Sequence, residues 1–164
     1  MRAYIATPAT AAGAAVEVAT GTALKTLLQV SVPANTEIKI AGWGVSFDGI
    51  AGTDPPGTVY LGHGDVAASA GTAFTPTPWQ DSIETLASLA VGGAALTGYN
   101  FGTEGTIASW NMLDSQEIHP QSGYSIWFPS DFRPRIGSTA ARHVRIRALF
   151  SVTVNALPWI VWHE

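Results

Sequence analysis

The sequence predicts an all-β protein, an antiparallel β-sandwich of Greek-key or jelly-roll arrangement with at most one short helical turn. Three observations predict it. The segment His143 to Val154 alternates: Val144, Ile146, Ala148, Phe150, Val152 and Val154 share one parity, while Arg145, Arg147, Ser151 and Thr153 share the other. Successive strand side chains point to opposite faces, so this is the pattern of a strand with one dry and one wet face. About eight to ten such segments follow one another, separated by Gly/Pro turns. No βα alternation and no fixed repeat are present, which argues against a doubly wound sheet, a propeller or a solenoid.

In chain order, Met1 to Gly13 is rich in small residues, carries Pro8 and shows no core pattern. It reads as a flexible arm, with residues 14–164 as a single sandwich domain. Val16 to Ala19 and Leu24 to Val32 read as strands, and Pro33-Ala34-Asn35 as a turn. Glu37 to Phe47 is a long strand whose apolar parity begins with Ile38 and Ile40 and shifts to Trp43, Val45 and Phe47. Gly42 and Gly44 sit at the shift, the mark of a bulge or of a strand crossing between sheets. Asp48 to Gly57 is a loop and Thr58 to His63 a short strand. Gly64 to Pro78 is loop-rich and ends in an extended Thr75-Pro76-Thr77-Pro78.

Asp81 and Glu84 have capping-box spacing, and Ile83, Leu86 and Ala90 share a helical face, so a short helical turn is expected before Gly92-Gly93, with a strand over Ser88 to Val91 as the alternative. Asn100 to Asn111 and Asp114 to His119 read as strands. Tyr124 to Phe128 is another, with Tyr124, Ile126 and Phe128 inward and Trp127 outward, ended by Pro129. Phe132 to Thr139 is an Arg/Pro loop. Asn155 to Pro158 turns, and Trp159 to Trp162 closes the chain.

Composition narrows the function classes. Of 164 residues, 12% are charged and 46% apolar. Soluble domains average about 25% charged, so low charge favours burial of some outer surface against other chains, beside the plainer reading of a bias toward Ala, Gly and Thr. Net charge is −4 and Lys25 and Lys39 are the only lysines. Arg133, Arg135, Arg142, Arg145 and Arg147 cluster late in the chain. A nucleic-acid binder needs a broad basic field, so this cluster is expected to pair with carboxylates across an interface or to lie on a solvated strand face. There are no cysteines, which excludes disulfides and thiolate chemistry. No signal peptide and no membrane span are read.

Catalytic chemistry has little foothold. The four histidines, His63, His119, His143 and His163, show no ligand spacing; His63-Gly64-Asp65 is the one close His/carboxylate pair, and a metal site needs further ligands. No Gly-x-Ser-x-Gly elbow or Walker loop occurs. Asp114 and Glu117 could be drawn as a glycosidase pair but are expected to face water. The expectation is a non-enzymatic protein without metal or cofactor. The six tryptophans, Trp43, Trp79, Trp110, Trp127, Trp159 and Trp162, are the stronger lead, since tryptophan is enriched in interface hot spots and sugar platforms. Trp127 points outward on parity, and of Trp159 and Trp162 one is expected to do so.

The run from Val30 to Gly49, with Thr75-Pro-Thr-Pro78, Leu96-Thr-Gly-Tyr-Asn100, Glu104-Gly-Thr106, Gln121-Ser-Gly-Tyr-Ser-Ile-Trp-Phe-Pro129, Val144-Arg-Ile-Arg147 and Val154 to Trp162, resembles the small β-sandwich capsid decoration (cement) proteins of tailed actinobacteriophages. The resemblance covers most of the chain after about Gln29. It departs at Ser130 to Arg135, where a more acidic strand exit is expected. It implies a virion protein, made in the host cytoplasm, that binds the outer capsid surface as a homotrimer and bridges subunits of the major capsid protein, with no nucleic acid or membrane as partner. A tail or fibre receptor-binding module and a carbohydrate-binding sandwich, with Trp127 or Trp79 as platform, are the alternatives. Residues expected at the interface are Tyr4, Ile5 and Pro8 of the arm, Trp127, Trp159, Trp162, Arg133 and Arg135.

Overall fold

The computed structural model describes residues 2–9, 13–68, 73–74, 76–79, 88, 91–94, 109–137 and 139–164. Its strands are β1 (Ala3–Ala6), β2 (Val18–Ala19), β3 (Lys25–Val32), β4 (Glu37–Phe47), β5 (Gly57–Gly64), β6 (Ala73–Phe74), β7 (Thr77–Pro78), β8 (Val91–Ala94), β9 (Trp110–Ile118), β10 (Gly123–Trp127), β11 (Arg135–Gly137), β12 (Arg142–Leu149) and β13 (Asn155–His163). One 3-10 turn, η1, spans Ser130–Phe132.

The strands form two antiparallel sheets. The first runs β10-β4-β13-β1-β7, with β11 also on β4 and β2 also on β13; the second runs β6-β8-β3-β12-β5-β9. The pairings nest along the chain: β1 with β13, β3 with β12, β4 with β10 and β5 with β9. A long hairpin rolled so that consecutive pairs fall on alternate sheets has this order, which is the jelly-roll form of the predicted sandwich.

The core lies between the sheets. Val144, Ile146, Ala148 and Phe150 enter it from the second sheet, as their parity requires, against Ile38, Ile40, Trp43, Val45, Ile160 and Trp162 of the first. Burying each such aliphatic side chain contributes about 1.5–3 kcal/mol against leaving it in water. Tyr124, Ile126 and Phe128 pack on this cluster from the sheet edge. The parity shift in β4 is a bulge: Val161 faces Gly42 while Trp162 faces Ile40, which leaves Ala41 as the extra residue. The extra residue turns Trp43 inward, where it is fully buried, and turns both flanking glycines outward.

Several expectations need correction. Phe132 to Thr139 is not all loop, since β11 within it pairs with β4. The alternating segment does not run to Val154 as one strand. β12 ends at Leu149, a bend follows, and Val152 is only half-buried. Asn155 to Pro158 is no turn but the first half of β13. Pro158 is tolerated there because β2 and β1 cover β13 only on either side of it. Its carbonyl, on the same edge as its missing N–H, takes the Thr7 hydroxyl at 3.0 Å.

The N-terminal arm is a sheet strand over Ala3–Ala6, held between β13 and β7. Arg145, although on the non-core parity, is fully buried. The segment after β5 crosses over it, and Arg145 donates to the Val66 carbonyl while the neighbouring Ala68 N–H donates to the Gln29 side chain at 2.9 Å. The helical turn expected after Asp81, and most of the strand expected from Asn100, lie outside the described residues.

Candidate functional site

Polar chemistry offers no convergent site among the described residues. His63 Nε2 and the Asn111 amide lie 3.4 Å apart, and Asp65 accepts the Ser109 N–H at 3.2 Å, so this pair ties β5 to the start of β9. No group of three His, Asp or Glu side chains among the described residues could hold a metal ion. Asp114 accepts the Trp43 indole N–H at 3.1 Å and the Tyr124 hydroxyl at 2.8 Å, a structural use of one member of the suspected carboxylate pair. Glu117 is exposed.

The outer face of the first sheet is different. Directly paired residues of antiparallel strands project on one face, so the registers define its rows. Trp127 pairs with Gly42, Gly42 with Val161, and Val161 with Ile5. One row along, Ser125 pairs with Gly44 and Gly44 with Trp159. The two glycines make room for the rings. A Cβ on Gly42 would lie 2.7 Å from the Trp127 ring, and one on Gly44 2.7 Å from the Trp159 ring. Each indole therefore lies down on the β4 backbone where any other residue would lift it.

The two rings meet at 5.3 Å between centroids, and Trp79, which follows β7 and donates its backbone N–H to the Ala3 carbonyl, meets Trp127 at 6.1 Å. Trp79 and Trp127 remain 49% and 53% exposed. Val161, two residues from Trp159 on this face, is 1% exposed yet lies outside the core cluster; the outer face carries its own apolar layer there.

On the same face lies a basic row. Arg135 pairs with Lys39, Lys39 with His163, and His163 with Ala3. Arg133, after η1, is close enough to act on His163. Burial, then Arg133, the chain N-terminus and Lys39, hold the His163 imidazole below its ordinary pKa.

No known family model matches the sequence, and neither a curated protein nor a solved structure matches it.

The eight residues expected at an interface thus separate. Trp127, Trp159, Arg133, Arg135 and Ile5 fall on or beside one sheet face. Tyr4 and Trp162 do not: they are 2% and 0% exposed and stack on each other in the core at 6.1 Å. Pro8 is buried as well. Parity missed Tyr4 because a four-residue strand shows too few alternations to register. The place of Trp79 beside Trp127 depends on β7 pairing with β1, a contact between distant segments that no local pattern encodes. The Lys39–His163 partnership also needs the β4 bulge, and Gly42 and Gly44 were the visible trace of it.

Proposed function

We propose that this protein acts by contact rather than catalysis, as a structural protein of the virion surface that binds the assembled capsid and holds neighbouring major capsid subunits together. The observation that carries the proposal is the cluster of exposed Trp79 and Trp127 with half-buried Trp159 on the outer face of the first sheet. Exposed aromatic clusters of this kind are costly on a free surface and characteristic of binding sites. The jelly-roll order and the resemblance of its strand segments to decoration proteins support the same reading; jelly rolls serve in viral capsids and in lectins alike. A homotrimer belongs to the proposal, because several weak contacts from one assembly combine through effective concentration. A ligand that engages only the assembled lattice stabilises that lattice by mass action.

The test is co-sedimentation of the purified chain with capsids assembled without it, together with its copy number on native particles. Saturable binding at many copies per shell supports decoration. A few copies at one vertex would assign it to the tail. The groove beside Trp159, lined by Ser46, Gly123, Tyr124 and Ser125, favours one second reading, a glycan platform, which binding of the isolated protein to a glycan array would reveal.

A further inference from the structure

We propose that the outer face of the first sheet is the docking face, and that its partner is a protein surface with an apolar centre and carboxylates placed against the row Arg135–Lys39–His163. The inference rests on the decoration reading and adds to it which face binds and what chemistry it meets.

Two features of the face point to the partner. The apolar part is Trp79, Trp127 and Trp159, the residue type most enriched where protein interfaces concentrate their binding energy. The charged part is unpaired. The whole chain carries net charge −4, yet the cations Arg135 and Lys39 stand in register on adjacent strands here, with the His163 imidazole next in the row and Arg133 two residues before Arg135. Among the described residues none of these four takes part in an ion pair, and both Arg133 Nε and His163 Nδ1 are buried without a hydrogen-bond partner. Of the carboxylates adjoining the row in sequence, Glu37 and Asp131 are exposed, and Glu164, which follows His163, accepts the Trp162 indole N–H at 3.2 Å. Arg135 is exposed, and a partner's carboxylate that reaches it gains the added strength of a charge-assisted bond.

A second copy of the chain fits this face poorly. A two-fold contact through this face would repeat one patch against itself and set the cations Arg135 and Lys39 of both copies near each other. A partner rimmed by carboxylates meets both halves of the face, and complementary charge also speeds and orients the encounter.

The experiment compares wild-type chain with Trp127→Ala, Arg135→Glu and, as a control on the other sheet, Met112→Ala, each bound to capsids assembled without the protein. Trp127, Arg135 and Met112 are all exposed, so the variants should fold; thermal melts confirm it. Trp127→Ala and Arg135→Glu should each weaken binding by at least about tenfold, with Met112→Ala unchanged. The Arg135→Glu deficit should shrink as salt is raised.

If wild type binds and both variants bind equally well, the docking face is wrong and the decoration reading stands. If wild type binds no capsid, decoration fails and this partner with it. Self-association of the free chain that Trp127→Ala abolishes would give the face to a second copy. Retention on an acidic polysaccharide that Arg135→Glu abolishes would give it to a glycan. Either result overturns the proposal.

Discussion

Asp114 and Tyr124 join the two sheets at their open edge. Asp114 lies on β9 of the second sheet and Tyr124 on β10 of the first, and the carboxylate accepts the phenol at 2.8 Å while also holding the Trp43 indole N–H at 3.1 Å. Strands β9 and β10 are the terminal long strands of their sheets.

This tie should be visible in an alkaline titration. Burial, the hydrogen bond to Asp114 and the charge of that carboxylate push the Tyr124 hydroxyl up to about 12. The protonated phenol is the form the fold favours. Its contribution to stability is therefore complete below the unfolded value of about 10 and disappears as pH rises through the folded value. Absorbance titration should show Tyr124 ionising late, and Asp114→Asn should lower its midpoint. Tyr124→Phe, which removes a hydrogen bond to a charged acceptor at a partly exposed site, should cost about 1.5 kcal/mol in urea denaturation. An unchanged titration in Asp114→Asn would mean that burial alone raises the group.

The glycine track under the tryptophans makes a second prediction. Gly42→Ala or Gly44→Ala places a methyl group within 2.7 Å of an indole, so the ring above must lift away from β4. The expected cost is about 1–3 kcal/mol, as for other forced overpacking, with tryptophan emission shifted to the red. Gly52→Ala, whose new methyl would meet nothing nearer than the Gln121 side chain at 3.7 Å, should stay within about 0.5 kcal/mol of wild type. Equal spectra for all three variants would show that the rings do not rest on the strand.

Removing residues 1–13 should destabilise the protein rather than merely free it of a tail. The deletion takes out β1, exposes the edge of β13 where β1 had paired, and removes Tyr4 from its stack on Trp162. Tyr4→Ala alone should cost about 3 kcal/mol, in the range of other large aromatic truncations in cores, and the deletion more. Calorimetry giving a deletion variant as stable as the full chain would contradict the pairing of β1.

Acid should weaken the fold through three histidines. Burial first, then Arg142, holds His63 below its ordinary pKa; burial and Arg145 do the same at His143 against a smaller opposing pull from Asp65; His163 is lowered by burial and its basic neighbours. In each case the fold favours the neutral ring. The stability tied to these groups is therefore present above the unfolded value of about 6.5 and is lost as pH falls through the depressed folded values. Urea midpoints should fall from about pH 7.5 to about pH 5, and His143→Gln, which cannot take up the proton, should reduce the difference. A midpoint that rises on acidification would reverse the sign of the argument.

How much of this was legible in the sequence depends on range. The boundaries of β4 and nearly those of β3, β5 and β10 follow from period-two patterning, because each strand has one face in the core and one outside it. Gly42 and Gly44 announced the bulge. What local pattern could not supply was pairing. Arg145 reads as a wet-face residue until the segment after β5 is laid over it, and Tyr4 reads as part of an arm until β13 is beside it. The basic row is the same case: Lys39, Arg135 and His163 are far apart in the chain and adjacent only through two registers.

The end of β12 gives the sharpest contrast between alternation and structure. Phe150 and Val152 share a parity and look equivalent in the sequence. Phe150, just past the strand, is 1% exposed and meets Phe47 edge-on at 4.8 Å, and Gly57 is small enough to admit its ring, since a Cβ there would come within 2.2 Å of it. Val152 follows a bend and is half-buried. Phe150→Ala should therefore cost about 3–5 kcal/mol. Val152→Ala removes less surface from a site already partly in water and should cost under about 1 kcal/mol. Equilibrium denaturation of the two variants side by side measures the difference, and equal losses would mean that the dry face continues past the bend after all.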